Sequence, residues 1–236
     1  AVPVISRIEP DNGPSASDRV TNDGRLMFRG TAEPCTAVLV PAPLGCTQVT
    51  LTQVGGGIFG SATTFADSLG NWTVDNTATL LPPDNYSFTA TARDAAGNVS
   101  AATAAFNVTI DTTAPAFNAS PTLALGDDTG LTGDFRTKLR RPRLTGTVFD
   151  NLINVQVQIF RESDVLVNNF TDPLGTATAL ADGTYVVQVD AAHAFADGSY
   201  TVRILATDAA GNADDSPSLT FTVDATPPNV ESFCSP

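Results

Sequence analysis

Cysteine is scarce. Three in 236 residues cannot make a disulfide scaffold, and no C-x-x-C or Cys/His cluster offers a zinc or redox site. Histidine is scarcer: His193 is the single imidazole, and no serine, cysteine or ligand constellation accompanies it, so it reads as a solvated turn residue and catalysis has little support. No apolar run approaches the ~18 residues that cross a bilayer, which argues against membrane insertion. Residues 1–10 have neither the basic nor the apolar region of a signal peptide. Positive charge is also short. Twelve Lys and Arg against 25 Asp and Glu give a net charge of -13, a field that repels phosphate and anionic lipid and argues against nucleic-acid partners. The same excess draws in cations or serves as a solubilising coat, and position has to decide. What is present is packing material, since 42% apolar residues against 16% charged describes a chain that folds. Its length suits two cores.

The sequence repeats itself. Residues 85–100 (NYSFTATARDAAGNVS) match 199–214 (SYTVRILATDAAGNAD), which puts Tyr86 and Tyr200, and Asp94 and Asp208, in register. Residues 107–115 (NVTIDTTAP) match 220–228 (TFTVDATPP), with Asp111 and Asp224 in register. A fainter match pairs Arg29-Gly30-Thr31 with Thr145-Gly146-Thr147, and Asp18 with Asp134. The repeat of about 113–117 residues sets domains at 1–114 and 115–226 and leaves 227–236 as a junction or the start of a further repeat. The chain opens on Ala1-Val2-Pro3, as though just after another junction. Domains in a row suggest a structure whose length, rather than a pocket, is its product.

Strand patterning dominates. Residues 86–92 alternate large with small or polar side chains, 200–206 do so less strictly, and 105–110 and 219–223 follow after a short turn, so each pair is expected as a hairpin. The turn, Asp-Ala-Ala-Gly-Asn, supplies a glycine and two side chains able to bond their own backbone. Further strands are expected at 26–29, 37–40, 48–53, 71–74, 144–148, 154–160 and 185–189. About seven short strands per ~110 residues is the count of an immunoglobulin-like sandwich. The expected fold is therefore all-β, with two tandem immunoglobulin-like β-sandwich domains. Residues 190–196, alone helical in composition, are too short to be more than a turn. Trp72 is expected between the sheets of the first domain in preference to a ligand-stacking platform. Cys35 and Cys46 would lie ~16 Å apart along strands if 41–45 made a tight turn, whereas a wider loop would let them bond; both arrangements stay open. Cys234 is expected to stay unpaired.

Gly-Thr-Ala-Glu-Pro at 30–34, Asp-x-x-Gly-Asn-Trp at 67–72, Tyr-x-Phe-x-Ala-x-Ala-x-Asp-Ala-Ala-Gly-Asn-x-Ser at 86–100 and Ile-Asp-Thr-Thr-Ala-Pro at 110–115 resemble the bacterial Ig-like repeats of giant extracellular adhesins and biofilm-associated surface proteins. The second domain keeps Gly-Asp-Asp-Thr-Gly at 126–130, Asp-Ala-Ala-Gly-Asn at 208–212 and Val-Asp-Ala-Thr-Pro-Pro at 223–228. It lacks the Glu-Pro turn and the Gly-Asn-Trp, and 170–193 departs from the family pattern. The resemblance implies a secreted or cell-surface array that holds an adhesive tip away from a cell. Its partners would be neighbouring repeats of the same polypeptide, with calcium between successive domains in many members.

In such a sandwich the B–C and F–G loops lie where the chain enters a domain, and the A–B and E–F loops where it leaves. Asp208 and Asn212, in the F–G turn of the second domain, are then expected to face Asp111 at the exit of the first, with Asp150 of the B–C turn joining them. Such side chains could supply the core of a calcium shell of oxygens. The equivalent set in the first domain is Glu33, Asp94 and Asn98. A second acidic group, Asp127, Asp128 and Asp134, belongs to the A–B region of the second domain, near Asp197 by the same topology. The competing reading is that Asp and Asn simply make good turns; their coincidence at a junction favours calcium.

Arg136, Lys138, Arg140, Arg141 and Arg143 put five of the 12 basic residues into eight positions. This is either an exposed strand that resists edge pairing or a patch for an anionic glycan or an acidic domain. The sequence thus points to a non-enzymatic spacer of an adhesin, rigidified by calcium. The alternatives are a carbohydrate- or protein-binding module, with a host or matrix glycan or protein as ligand, and an accessory domain of an extracellular enzyme.

Overall fold

A computed structural model describes residues 1–35, 46–152, 154–167 and 169–229. The expected strand 37–40, the turn 41–45 and Cys234 lie outside the described residues. The chain divides into two compact units, Ala1–Thr112 together with Ala209–Asn212, and Thr113–Asp208 together with the chain from Ala213 onward.

The first unit contains β1 (Val4–Glu9), β2 (Val20–Thr21), β3 (Met27–Thr31), β4 (Gln48–Gln53), β5 (Ser61–Phe65), β6 (Asn71–Asp75), β7 (Asp84–Arg93) and β8 (Phe106–Ile110). They form two sheets, in the orders β1-β3-β6 and β2-β8-β7-β4-β5. Among these described strands, only β2 and β8 run parallel. Alternation at period two aims one face of each strand inward: Val49 and Leu51 of β4, Trp72 and Val74 of β6, Phe88, Ala90 and Ala92 of β7, and Phe106, Val108 and Ile110 of β8 are buried. Phe28 of β3 meets Phe88 from the opposite sheet with ring centroids 4.6 Å apart. Trp72 is 2% exposed and belongs to this core, so its ring cannot serve as a stacking platform.

The second unit contains β9 (Thr122–Leu123), β10 (Arg136–Thr137), β11 (Arg143–Thr147), β12 (Gln156–Arg161), β13 (Gly175–Thr178), β14 (Thr184–Gln188), β15 (Gly198–Thr207), β16 (Ala213–Asp215) and β17 (Leu219–Val223). Its sheets run β9-β11-β14 and β10-β17-β15-β12-β13, with β16 paired to β15. This is the order of the first unit repeated, down to the parallel pair β10 and β17. Among the described residues, helical structure is limited to one turn, α1 (Glu162–Val165), and a 3-10 turn at Ala191–His193. In each unit a tyrosine near the start of the long strand bonds back four residues, Tyr86 to the Pro82 carbonyl at 2.8 Å and Tyr200 to the Ala196 carbonyl at 3.0 Å. This is the corner bond of immunoglobulin-like sandwiches.

The structure corrects two expectations and decides between the two arrangements left open for the cysteines. The hairpins form only in part: β8 pairs with the first half of β7, from Asp84↔Ile110 to Phe88↔Phe106. Beyond that point the returning chain satisfies β7 through the bridge Arg93↔Val99 and through the Ser100 and Thr103 hydroxyls, which accept from the Ala92 and Ala90 amides. A hydroxyl substitutes for a carbonyl where the chain has left the ladder, as buried amides require. Segment 170–193, outwardly unlike the family pattern, carries β13 and β14 in the places of β5 and β6, with Gly183-Thr184-Tyr185 standing where the first unit has Gly70-Asn71-Trp72. Lastly, Cys35 and Cys46 form a disulfide with Cα atoms 4.1 Å apart. No described helix is long and apolar enough to cross a membrane.

Candidate metal centre

Asp111 follows β8 directly. Its amide donates to the Thr21 carbonyl at 2.9 Å, which ties it to β2, and it is only 2% exposed. The Asn212 side-chain amide donates to the Asp111 carbonyl at 2.9 Å. In the second unit, Asp208 follows β15 and is wholly buried, while half-buried Asp150 lies between β11 and β12, where its carboxylate accepts from the Leu152 amide at 2.6 Å. One carboxylate oxygen of Asp150 and one of Asp208 lie within 4.8 Å of each other. Two ligands of a single calcium ion, each about 2.3–2.6 Å from it, can be this far apart. A donor set of carboxylates and amide oxygens, with no imidazole or thiolate, suits a hard cation such as calcium rather than zinc.

Glu33, Asp94 and Asn98 of the first unit line one hollow of about 140 Å³. The structure thus gathers the three residues. Asp94 is also engaged within its own turn, accepting from the Asn98 amide and from the Asn98 side chain, both at 2.8 Å. Those bonds hold its carboxyl below the usual range. Asp67, which sequence reasoning passed over, clamps Asn71 in the same way: its carboxylate accepts from the Leu69 and Asn71 amides at 2.8 Å and from the Asn71 side chain at 3.3 Å. The shared Asp-x-x-Gly-Asn spacing was the available signal.

The second acidic group is dispersed among local partners. Asp127, 3% exposed, receives Arg143 through the backbone amide at 2.6 Å and through the guanidinium, Nη2 to Oδ1, at 2.6 Å. Asp128 accepts from the Gly133 amide and Asp134 from the Arg136 amide. Asp197 accepts from the Ala225 amide and the Thr226 hydroxyl and pairs with Arg140 at 3.0 Å. Among the described residues, no three of these carboxylates converge on one point. His193 is not the solvated residue expected. It is half-buried, with Nε2 3.1 Å from Asp172.

Several solved structures are similar to this chain. A tetra-tandem repeat in the extending region of a large adhesion protein shares 24% identity over 86% of this chain and 46% of its own, with a TM-score of 0.34. A Ca2+-stabilized adhesin that helps an Antarctic bacterium bind ice shares 22% over 95% of this chain and 49% of its own, with a TM-score of 0.36. Fibronectin(III)-like modules of Clostridium thermocellum CbhA share 13% over 94% of each chain, with a TM-score of 0.46. This chain therefore spans about half the length of the two adhesin structures. Curated protein sequences gave no match. The family profile of the bacterial Ig-like domain matches residues 1–112 and again 114–225. With one profile covering nearly the whole chain twice, and the same strand order in both units, the protein belongs to the bacterial Ig-like domain family.

Proposed function

We propose that the chain is a non-catalytic spacer of a secreted or cell-surface adhesin, with repeats at 1–114 and 115–226 and with 227–236 belonging to a junction or a further repeat. In this reading calcium stiffens the junction through Asp111, Asp150, Asp208 and Asn212, and the neighbouring repeats are the partners. The observation that carries it is the closeness of Asp150 and buried Asp208. Like charges at that distance repel, and a divalent cation turns the repulsion into coordination. The bond from Asn212 to the Asp111 carbonyl supports adding those two residues to the set. Glu33, Asp94 and Asn98 would form the corresponding half-site toward a preceding repeat. Asp127, Asp128, Asp134 and Asp197 are weaker ligand candidates, because each is already held by amides, hydroxyls or arginine.

The test is calorimetric titration of calcium into metal-free protein, with thermal melting in calcium and in chelator. The wild type is expected to bind with a Kd of ~0.1–1 mM, as extracellular modules do. At ten times Kd, mass action adds about 1.4 kcal/mol to its stability. An Asp111→Ala, Asp208→Ala double variant should lose this site and its share of the stabilisation. If chelation leaves the wild-type melting point unchanged, the junction has no calcium and these residues are not ligands.

A further inference from the structure

We propose that a hollow in the second unit, built by Arg140, Arg141 and Arg143, binds the acidic groups of an anionic polysaccharide. The cluster of five basic residues between 136 and 143 is not used by the spacer reading, and the proposal is independent of calcium. Register creates the hollow: β11 pairs with β14 so that Arg143 stands across from Gln188. The chain segment leading into β11 adds Leu139, Arg140 and Arg141, and the hollow measures about 420 Å³.

Each guanidinium is held in place before any ligand arrives. Arg140 donates through Nη1 to the Phe195 carbonyl at 3.1 Å and lies 3.0 Å from Asp197 through Nη2. Arg143 grips the Asp127 carboxylate, Nη2 to Oδ1 at 2.6 Å and Nε to Oδ2 at 3.1 Å. Arg141 donates through Nε to the Val189 carbonyl at 2.9 Å. Two of the three charges are therefore balanced by a carboxylate. Arg141 differs: it is exposed and, among the described residues, joins no ion pair. A backbone carbonyl sets the position of its guanidinium without neutralising it, and its two terminal nitrogens can form the two-pronged contact that carboxylate and sulfate groups favour. Exposed Arg136 and Lys138 nearby in sequence add positive charge.

The surroundings choose the ligand class. Duplex nucleic acid carries a charge every ~1.7 Å and would meet the acidic surface of a protein with net charge -13. A uronate or sulfated polysaccharide instead presents single acidic groups between neutral, hydroxyl-rich rings, so one local positive hollow suffices. Half-buried Leu139 offers a sugar ring an apolar wall, and the Gln188 amide offers its hydroxyls both a donor and an acceptor.

The experiment is calorimetric titration of the full chain with dextran sulfate, polygalacturonate and uncharged dextran, in low salt with chelator so that calcium cannot bridge. One or both polyanions should bind, the successful arm identifying sulfate or carboxylate, while dextran should not. Arg141→Gln should weaken binding about five- to tenfold without moving the melting temperature, and Arg141→Lys should recover only part of the loss. Arg93→Gln, an equal charge change in the first unit, should leave binding unaltered. The proposal is overturned if neither polyanion binds or if Arg93→Gln weakens binding as much as Arg141→Gln. Self-association that depends on Arg141 in sedimentation without polysaccharide would also overturn it, assigning the hollow to the acidic surface of a second copy.

Discussion

Gly30 stands across from Trp72 in the ladder between β3 and β6, and a methyl group on it would meet Trp72 Cζ2 at 2.2 Å and the Val4 carbonyl oxygen at 1.9 Å. Gly146 faces Tyr185 in the same way, 2.5 Å from its hydroxyl. A large aromatic thus fills the space beside a glycine in both repeats, where no side chain on the glycine would fit. Gly30→Ala should cost about 1–3 kcal/mol through overpacking, and Trp72→Ala about 3–5 kcal/mol through the cavity it leaves. Urea unfolding reads both as a lower midpoint; a Gly30→Ala protein as stable as wild type would show that the indole is not held there. A second prediction concerns acid. Burial opposes the ionisation of Asp127, but the Arg143 hydrogen bonds outweigh it and hold the carboxyl below the usual aspartate range. A carboxyl with a depressed folded pKa contributes stability above its unfolded value, and that contribution is lost as pH falls through the folded value. Stability should therefore drop below about pH 4. Asp127→Asn should remove part of that drop while costing about 1–2 kcal/mol at neutral pH, a modest figure because Arg143 is half exposed and can turn to water.

Among the elements, the long strands β7 and β15 were the most legible, because a central strand buried on one face has to alternate. The edge strand β5 was not: Ser61-Ala-Thr-Thr-Phe carries no strongly apolar inward set, and backbone pairing with β4 along its whole length defines it instead. β13 escaped for the same reason, pairing Gly175–Thr178 with β12. The disulfide belongs to this scale. Cys35 and Cys46 are 11 residues apart in sequence, and closing a loop of that length in the unfolded chain is worth about 3 kcal/mol. Reduction is expected to lower the stability of the first unit by about that amount and leave the second unit unchanged. Urea titration with and without a phosphine reductant checks it, and a transition that does not respond would mean that the bond constrains little in the unfolded chain.

For the whole molecule, the decisive variable is predicted to be calcium. If Asp111 and Asn212 share an ion with Asp150 and Asp208, chelation should widen the distribution of dimensions seen by small-angle scattering as well as lower the melting point. The Asp111→Ala, Asp208→Ala variant in calcium should scatter like the wild type in chelator. Scattering curves that superimpose with and without calcium would show that calcium does not set the dimensions of the chain.

The sequence by itself determined the repetition, the all-β class and the turn motif, because period-two alternation and the Asp-Ala-Ala-Gly-Asn reversal are local properties that neighbouring residues impose on one another. It also named Asp150 and Asp208, but only through a borrowed loop topology. Their approach to within 4.8 Å, the substitution of Tyr185 for a tryptophan and the bond between Cys35 and Cys46 were decided by tertiary structure. So was the hollow that Arg143 and Gln188 share. Each joins positions distant along the chain, and which distant residues meet depends on the pairing and register of whole strands, set by the burial of both sheets at once rather than by any single segment.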